Sequence, residues 1–331
     1  MRAVSEILIA GLGSVGRRHL TNLRALGWRD VRVYRTGHSA LPDVDMDGVG
    51  VDCDLTAALA RRPLAVIVAN PSACHLPVAL AAARAGAHLL IEKPLSHDLS
   101  GIDELERVIE TRGLTALVGF QLRFNPGLRQ VRSWITSGAI GEVVSVQAHW
   151  GEYLPDLHPW EDYRAGYAPR PDPGGGVLLT LCHPFDYLRW LVGNLENVSA
   201  IESRQDALGL AVETSIDATL CFTSGASGHL HVNFVEQPTT HGVAIIGTQG
   251  TATWNQSDQA ARLYRAASRS WQAVAAPDGF ELNDMFLDQM RHFLACLRGE
   301  EQPVCTIGDG RAALEAVLAV MRALAEAVST T

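Results

Sequence analysis

The chain has 331 residues, a length typical of about two domains, and its 47% hydrophobic and 19% charged residues are the composition of an ordinary globular protein. A formal net charge of −9 disfavours a nucleic-acid partner, because no basic surface would dominate that field. No apolar run approaches the roughly 18 residues of a membrane span, so no membrane partner is expected.

The first residues and the cysteines together favour a cytoplasmic protein. The opening MRAVSEILIAGLGSVG has the pattern of neither a signal peptide nor a transit peptide. Six cysteines are scattered along the chain without a C-x-x-C pair, which favours neither a zinc site nor a disulfide framework. We therefore expect reduced thiols and no bound metal.

Strands and helices alternate over the first 121 residues. Helical patterns occupy parts of 11–27, 77–87 and 102–113. Strand patterns lie at 6–10, 31–35, 64–69, 88–92 and 114–120. This alternation predicts an α/β domain over 1–121, with a doubly wound parallel sheet.

The hydrophobic period changes to two in the second half. Alternating runs at 143–151, 215–225 and 228–236, with a strand pair in 242–255, predict an α+β domain over 122–331 with an open, largely antiparallel sheet. One face of that sheet is polar and carries His229 and His231. We expect another copy of the chain to cover this face, in a homodimer or homotetramer formed through this domain.

A glycine pattern lies between the first strand and the first helix. Gly11, Gly13 and Gly16 form G-x-G-x-x-G, in which the glycines permit a tight turn and close approach of the backbone to a pyrophosphate. The amides of Ser14 and Val15 belong to the helix N-terminus, which favours phosphate. The sequence thus predicts a dinucleotide-binding Rossmann domain.

The residue after the second strand bears on which dinucleotide binds. NAD enzymes place an acid about 20 residues after the glycine loop, whereas this chain has Arg35 followed by Thr36, with Ser39 nearby. A guanidinium there suits a 2′-phosphate, which favours NADP over NAD. The alternative is a solvated arginine in a turn.

Two further segments carry reactive side chains. IEKPLS places Lys93 at the carboxyl end of a parallel strand, where such sheets bind ligands; an ordinary surface lysine is the alternative. In GGGVLLTLCHPFDYLRW, Leu179, His183, Asp186 and Trp190 fall on one stripe at helical spacing. That stripe is either part of a cleft or a buried histidine satisfied by its neighbours.

In order and spacing these motifs resemble the glucose–fructose oxidoreductase and inositol dehydrogenase family (Gfo/Idh/MocA), from residue 6 to the closing helix. The E-K-P motif is the most specific element. The resemblance implies that Lys93 lies beside the nicotinamide and that His183 and Asp186 are the catalytic H-x-x-D. It also implies a cofactor site that includes Asn70, Pro71, His75, Glu92 and Gln121.

One position departs from the family pattern. The family usually has an aspartate four residues before the histidine, whereas this chain has Leu179 there and Thr180 one residue later. If that acid normally orients the histidine, this chain uses Asp186, uses a loop acid such as Asp156 or Asp162, or does without one.

We interpret the chain as an NADP-preferring oxidoreductase that acts on a ring carbinol or ketone of a sugar, a nucleotide-linked sugar or a cyclic polyol. His183 would move the hydroxyl proton while Lys93 holds the same oxygen. Aromatic and charged side chains suit such a ring, and the expected substrate contacts are Arg123, Asn125, Tyr153, Trp160, Tyr163, Arg164 and His183. Alternatives are a redox glycosidase or lyase that retains its cofactor and a non-enzymatic NADP-sensing regulator.

Overall fold

The computed structural model describes residues 5–37, 46, 48–157, 162–203 and 208–329. By their packing these residues form two units. The first runs to Gln121 and includes Leu282–Arg311, and the second comprises Leu122–Glu281 with the residues from Ala312 onward. The sequence places 282–311 in the second domain, whereas in the structure this segment packs within the first unit.

A parallel sheet of six strands forms the centre of the first unit. The strands are β1 Ile7–Ala10, β2 Val31–Tyr34, β3 Gly50–Asp52, β4 Ala65–Val68, β5 His88–Glu92 and β6 Ala116–Gly119. Their order is β3-β2-β1-β4-β5-β6, and all neighbouring pairs are parallel. The predicted doubly wound sheet is thus confirmed. Only β3 has no counterpart among the predicted strands, because it is three residues long and only partly buried.

Helices connect these strands. They are α1 Ser14–Ala25, α2 Leu55–Ala60, α3 His75–Ala85 and α4 Ile102–Arg112. β1 and β4 are buried along their whole lengths, as expected for strands of a sheet that is covered on both faces. The predicted cofactor residues lie on the loops that follow the carboxyl ends of β1, β2, β4, β5 and β6.

Within its described residues, the part of the second unit from Leu122 to Glu281 contains a sheet of eight strands and four helices. The helices are α5 Pro126–Thr136, α6 Leu154–Leu157, α7 Val177–Thr180 and α8 His183–Val192. The strands are β7 Val143–Tyr153, β8 Leu195–Glu202, β9 Ser215–Phe222, β10 Ser227–Asn233, β11 Val235–Gly247, β12 Gly250–Asn255, β13 Ala261–Arg265 and β14 Ser270–Val274. Their order is β14-β13-β12-β11-β7-β10-β9-β8, with β7 and β10 parallel and the other pairs antiparallel. The predicted α+β class is confirmed.

The strand β9 shows how this sheet divides its two faces. Ile216, Ala218, Leu220 and Phe222 are buried, and the residues between them are exposed. The alternation of apolar and polar residues in this part of the sequence therefore corresponds to a strand with one buried and one exposed face.

The segment that carries His183 is two helices rather than one. α7 ends at Thr180, and α8 begins at His183 with Pro184 in its first turn. Proline has no backbone N–H to continue a preceding helix, but its fixed φ suits the start of a new one. The predicted stripe is therefore wrong at Leu179, and only His183, Asp186 and Trp190 share a helix.

Two late helices complete the chain, α9 Leu282–Leu297 and α10 Ile307–Ser329. Met290 and Phe293 of α9 are fully buried in the hydrophobic core that contains Ile7 and Ile9 of β1. This burial is the reason that α9 belongs to the first unit, although it follows the second in sequence.

The described parts of the proline-rich segment 152–173 contain regular structure. β7 extends to Tyr153, α6 follows, and Tyr163–Ala165 form a 3₁₀ turn. Among the described residues, no helix has the length and apolarity needed to cross a membrane.

Candidate active site

The glycine loop has the geometry of a phosphate cradle. Gly11 has a φ of +102°, and a Cβ there would lie 2.7 Å from the Ala69 oxygen and the Asn70 nitrogen. A Cβ on Gly16 would collide with the Gly11 carbonyl oxygen, whereas the space beside Gly13 is open. No side chain caps the N-terminus of α1, and its first turn holds no acid, so its amides and dipole favour an anion.

Arg35 follows the last residue of β2, as predicted. Its backbone N–H donates to the Asp52 carbonyl oxygen at 3.0 Å, and its side chain is partly exposed. The carboxylate of Asp52 accepts two hydrogen bonds from Arg32, at 2.8 and 3.0 Å, and this bonding lowers the pKa of Asp52. Thr36 is exposed, and Ser39 lies outside the described residues.

His75 connects the loops that follow β4 and β5. Its Nε2 lies 2.7 Å from the Asn70 carbonyl oxygen and its Nδ1 2.7 Å from that of Pro94. Burial lowers the pKa of His75 and outweighs the two carbonyl contacts. The histidine is therefore buried beneath the predicted cofactor loops, where it fixes their spacing.

Two amide oxygens of the predicted cofactor site are buried without a hydrogen-bond partner among the described residues. They are Oδ1 of Asn70 and Oε1 of Gln121. Buried polar atoms normally have partners, so such pairs of orphaned acceptors indicate a polar ligand. Together with the open space at Gly13, they fit a nicotinamide dinucleotide.

Lys93 differs in kind from every other basic side chain of the protein. The chain has 27 lysine and arginine residues, and Lys93 is the only lysine among them. An amine can act as a compact proton donor or acceptor, whereas a guanidinium remains charged. Composition alone therefore distinguishes Lys93 from the other basic residues, independently of the E-K-P motif.

In the second unit, Arg123 and Asp186 form a buried ion pair. Nε and Nη2 of Arg123 donate to the carboxylate of Asp186 at 2.9 and 2.6 Å, and the side chains are 3% and 1% exposed. The sequence predicts Arg123 as a substrate contact and Asp186 as an acid that orients His183. The structure brings these two predicted site residues together in bidentate geometry.

Asn125, another predicted substrate contact, is the N-cap of α5. Its Oδ1 accepts the Leu128 N–H at 3.0 Å, and its Nδ2 donates to Gln259 Oε1 at 2.9 Å. The residue is completely buried. Both ends of its amide thus serve the packing of α5.

His183 lies at the start of α8 and is 2% exposed. Its ring centroid is 5.5 Å from that of Trp150 on β7, and Trp150 stacks on His241 at 4.4 Å. Burial lowers the pKa of His241 to about 3, so that imidazole stays neutral. The sequence does not predict this aromatic support, because its members lie on separate strands.

The remaining predicted substrate contacts are on the segment after β7. Tyr153 ends β7, and the Arg164 guanidinium lies 4.4 Å over the Tyr163 ring. Asp162 caps this turn by accepting the Arg164 N–H at 3.0 Å, and Asp156 is exposed on α6. Trp160 lies outside the described residues.

Glu213 is a largely buried acid that the sequence analysis does not single out. Its Oε1 accepts the Leu178 N–H at 3.1 Å, and its backbone carbonyl accepts the Val177 N–H at 3.1 Å. A Cβ on Gly176, whose φ is +99°, would collide with the same carboxylate. Glu213 therefore holds the glycine turn that leads into α7, 35 residues earlier in the chain.

The Glu213→Gln variant should become more stable relative to the wild type as the pH rises. Burial raises the Glu213 pKa from 4.5 to about 7. Between these pH values the folded wild type keeps a proton that its unfolded chain releases, so the wild type loses stability as the pH rises. Through pH 4.5 to 7 the stability difference between variant and wild type should grow toward about 3 kcal/mol. Thermal melts of both proteins across this range measure it, with Glu196→Gln, on exposed β8, as control. A difference that does not change with pH would contradict the assignment.

Two family models match the chain. Residues 5–120 match the model described as oxidoreductase family, NAD-binding Rossmann fold, and residues 128–253 match the GFO/IDH/MocA C-terminal domain. These two ranges cover most of the chain and divide near the boundary between the two units.

Similar proteins include named sugar oxidoreductases. The chain is 28% identical over 268 residues to the 1,5-anhydro-D-fructose reductase of Ensifer adhaerens. This alignment covers 79% of this chain and 77% of that protein. A levoglucosan dehydrogenase in complex with NADH shares the fold with a TM-score of 0.84 at 18% identity, over 97% of each chain. The WlbA dehydrogenase of Bordetella pertussis, in complex with NADH and UDP-GlcNAcA, has a TM-score of 0.81 at 23% identity, over 98% of each chain.

Proposed function

Because the chain belongs to the Gfo/Idh/MocA family of oxidoreductases, we propose that it interconverts a ring carbinol and a ring ketone of a sugar, a nucleotide-linked sugar or a cyclic polyol. The observation that carries the proposal is the placement of the single lysine at the carboxyl end of β5, in the unit that holds the glycine loop. The similarity to 1,5-anhydro-D-fructose reductase supports a sugar-like substrate.

The first unit would hold the nicotinamide cofactor. The pyrophosphate would contact the amides of Ser14, Val15 and Gly16 at the start of α1, and the orphaned oxygens of Asn70 and Gln121 would accept hydrogen bonds from its polar groups. When bound, the cofactor supplies or accepts the hydride.

The proton chemistry would fall to His183 and Lys93. In oxidation His183 takes the hydroxyl proton as the substrate carbon loses hydride, and the Lys93 amine holds the same oxygen and stabilises its developing negative charge. In reduction His183 returns the proton. The Arg123–Asp186 pair would fix α8, and thereby the histidine, so that neither needs to touch substrate.

A screen of sugars, nucleotide sugars and cyclic polyols tests this function. The purified protein is mixed with each compound and with NADP⁺ or NAD⁺, and with NADPH or NADH for the ketones, and the change in nicotinamide absorbance is followed. At least one compound should support turnover that Lys93→Met abolishes. Cleavage of a glycoside without net change of added cofactor would indicate the cofactor-retaining alternative instead.

We propose NADP as the preferred cofactor because Arg35, rather than an acid, follows β2. NADPH should bind more tightly than NADH by about 1–3 kcal/mol, the value of a hydrogen bond between charged groups. Arg35→Asp should remove or reverse this preference. Quenching of tryptophan fluorescence measures both affinities. The control is Arg29→Asp, which makes the same charge change at an exposed residue two positions before β2. Equal wild-type affinities for the two cofactors would refute the preference.

We also propose that the polar face of the eight-stranded sheet binds a second copy of the chain. On this face His231 bonds to Asp217 at 2.8 Å, His149 bonds to Glu236 at 2.6 Å, and the two histidine rings stack at 5.1 Å. Light scattering at micromolar concentration should find a dimer or tetramer. Thr219→Arg, on the exposed side of β9, should shift it toward monomer, whereas a monomeric wild type would exclude the interface.

A further inference from the structure

The carboxylate of Glu92 directly precedes the single lysine and faces a histidine of the glycine-loop helix. Its Oε1 lies 2.7 Å from Nε2 of His19, and these side chains are 6% and 0% exposed. Its Oε2 accepts the backbone N–H of Lys93 at 3.3 Å. Two hydrogen bonds, from His19 to Glu92 and from the Lys93 backbone to Glu92, thus connect α1 with Lys93 at the end of β5.

Packing around the pair indicates that this contact is specific. A Cβ on Gly119 of β6 would lie 3.0 Å from the carboxyl atoms of Glu92, so the glycine leaves room for that carboxylate. Nδ1 of His19 is buried and makes no hydrogen bond within the described residues. A leucine would fill the same volume without burying two polar nitrogens, so packing alone does not account for the histidine.

Charge couples the pair to the lysine. Burial acts to raise the Glu92 pKa, but the hydrogen bond from His19 and the electrostatic influence of His19, Lys93 and His75 outweigh it and leave the pKa lowered. Arg18 on α1 also interacts with this carboxylate. An ionised carboxylate only accepts hydrogen bonds, so Nε2 of His19 donates the proton. Since the attraction between charges is mutual, ionised Glu92 also favours the charged form of Lys93.

We propose that His19 is a positioning residue for Lys93, because it holds Glu92 ionised and in place beside the lysine. The same helix presents its N-terminus to the predicted pyrophosphate site, so one element would align both the cofactor and the amine. The inference rests on the proposed role of Lys93 in turnover, but its test does not.

Selective labelling of the amine tests the proposal without substrate or cofactor. Because Lys93 is the only lysine, trinitrobenzenesulfonate modifies one side-chain amine, and mass spectrometry of the peptide that contains it gives the rate at each pH. Glu92→Gln and His19→Leu should both move the midpoint of the labelling curve to lower pH by about one unit. His19→Gln, whose amide nitrogen can replace Nε2 as donor, should restore the wild-type midpoint.

Asn22→Leu is the matched structural control. Asn22 is buried on the same helix and bonds to Asn283 at 3.0 Å, so its loss removes a polar contact of α1 away from Lys93. Its midpoint should match the wild type. A shift as large as that of His19→Leu would overturn the proposal, as would a wild-type midpoint in His19→Leu.

Gly119→Ala provides a second route if His19→Leu fails to fold. It presses on the Glu92 carboxylate without altering His19, and it should shift the midpoint in the same direction. An unshifted midpoint would overturn the proposal. Failure of the proposed function gives a different result, in which Lys93→Met retains turnover while the labelling curves still depend on His19.

Discussion

His183→Ala should lower turnover by about 10²–10⁴-fold, because the reaction loses the group that exchanges the hydroxyl proton. NADPH affinity should barely change, since the glycine loop and Arg35 are untouched. Steady-state kinetics on a substrate found by the screen, together with fluorescence titration of NADPH, measures the two effects separately. A histidine that only packs on Trp150 would give the opposite pattern, with lost stability and turnover recovered below the melting temperature.

Lys93→Met provides the companion measurement. If both residues act on one substrate oxygen, each single variant should lose a similar share of turnover, and the double variant should be little worse than either. Multiplicative losses would mean that the two side chains act independently. Near-normal turnover in His183→Ala would show that the catalytic assignment is wrong.

Asp186→Asn should destabilise the protein by about 3–5 kcal/mol, because it leaves the Arg123 guanidinium buried without its counter-charge. Urea unfolding followed by tryptophan fluorescence measures the loss. The double variant Arg123→Met with Asp186→Leu should recover most of it, since both buried charges are then removed. A loss below about 1 kcal/mol for Asp186→Asn would contradict a structural pair.

The double variant also separates stability from chemistry. If Asp186 serves only to fix α8, the restored protein should retain substantial turnover. If Asp186 acts on His183 or on substrate, as its place in H-x-x-D predicts, stability should return without turnover. The two results assign the residue to different roles by one comparison.

The sequence predicts the features of this protein that depend on local pattern. The strands of the first sheet and the alternation of β9 follow from hydrophobic period, and the glycine loop follows from residue type at fixed spacing. Periodicity fails where a local backbone effect intervenes, as at Pro184, which separates α7 from α8. Short β3 has too few residues to show a period.

Hydrophobic periodicity and motif spacing do not predict contacts between residues that are far apart in sequence. His19 meets Glu92 73 residues later, and Arg123 meets Asp186 63 residues later. None of these residues alone predicts its partner, since the pairing depends on strand order and helix packing. Asn125 is a further example, because its amide nitrogen bonds to Gln259, 134 residues later.

The return of α9 to the first unit has a consequence for the order in which the protein can be made. Met290 and Phe293 complete a core whose other members include Ile7, Ile9 and Leu23, so the ribosome must make residues 122–281 before that core can close. A nascent chain that has emerged only as far as Gln121 exposes the apolar surface that α9 later covers. The dinucleotide-binding unit begins synthesis first, and its core is completed only after the insertion that separates its two parts.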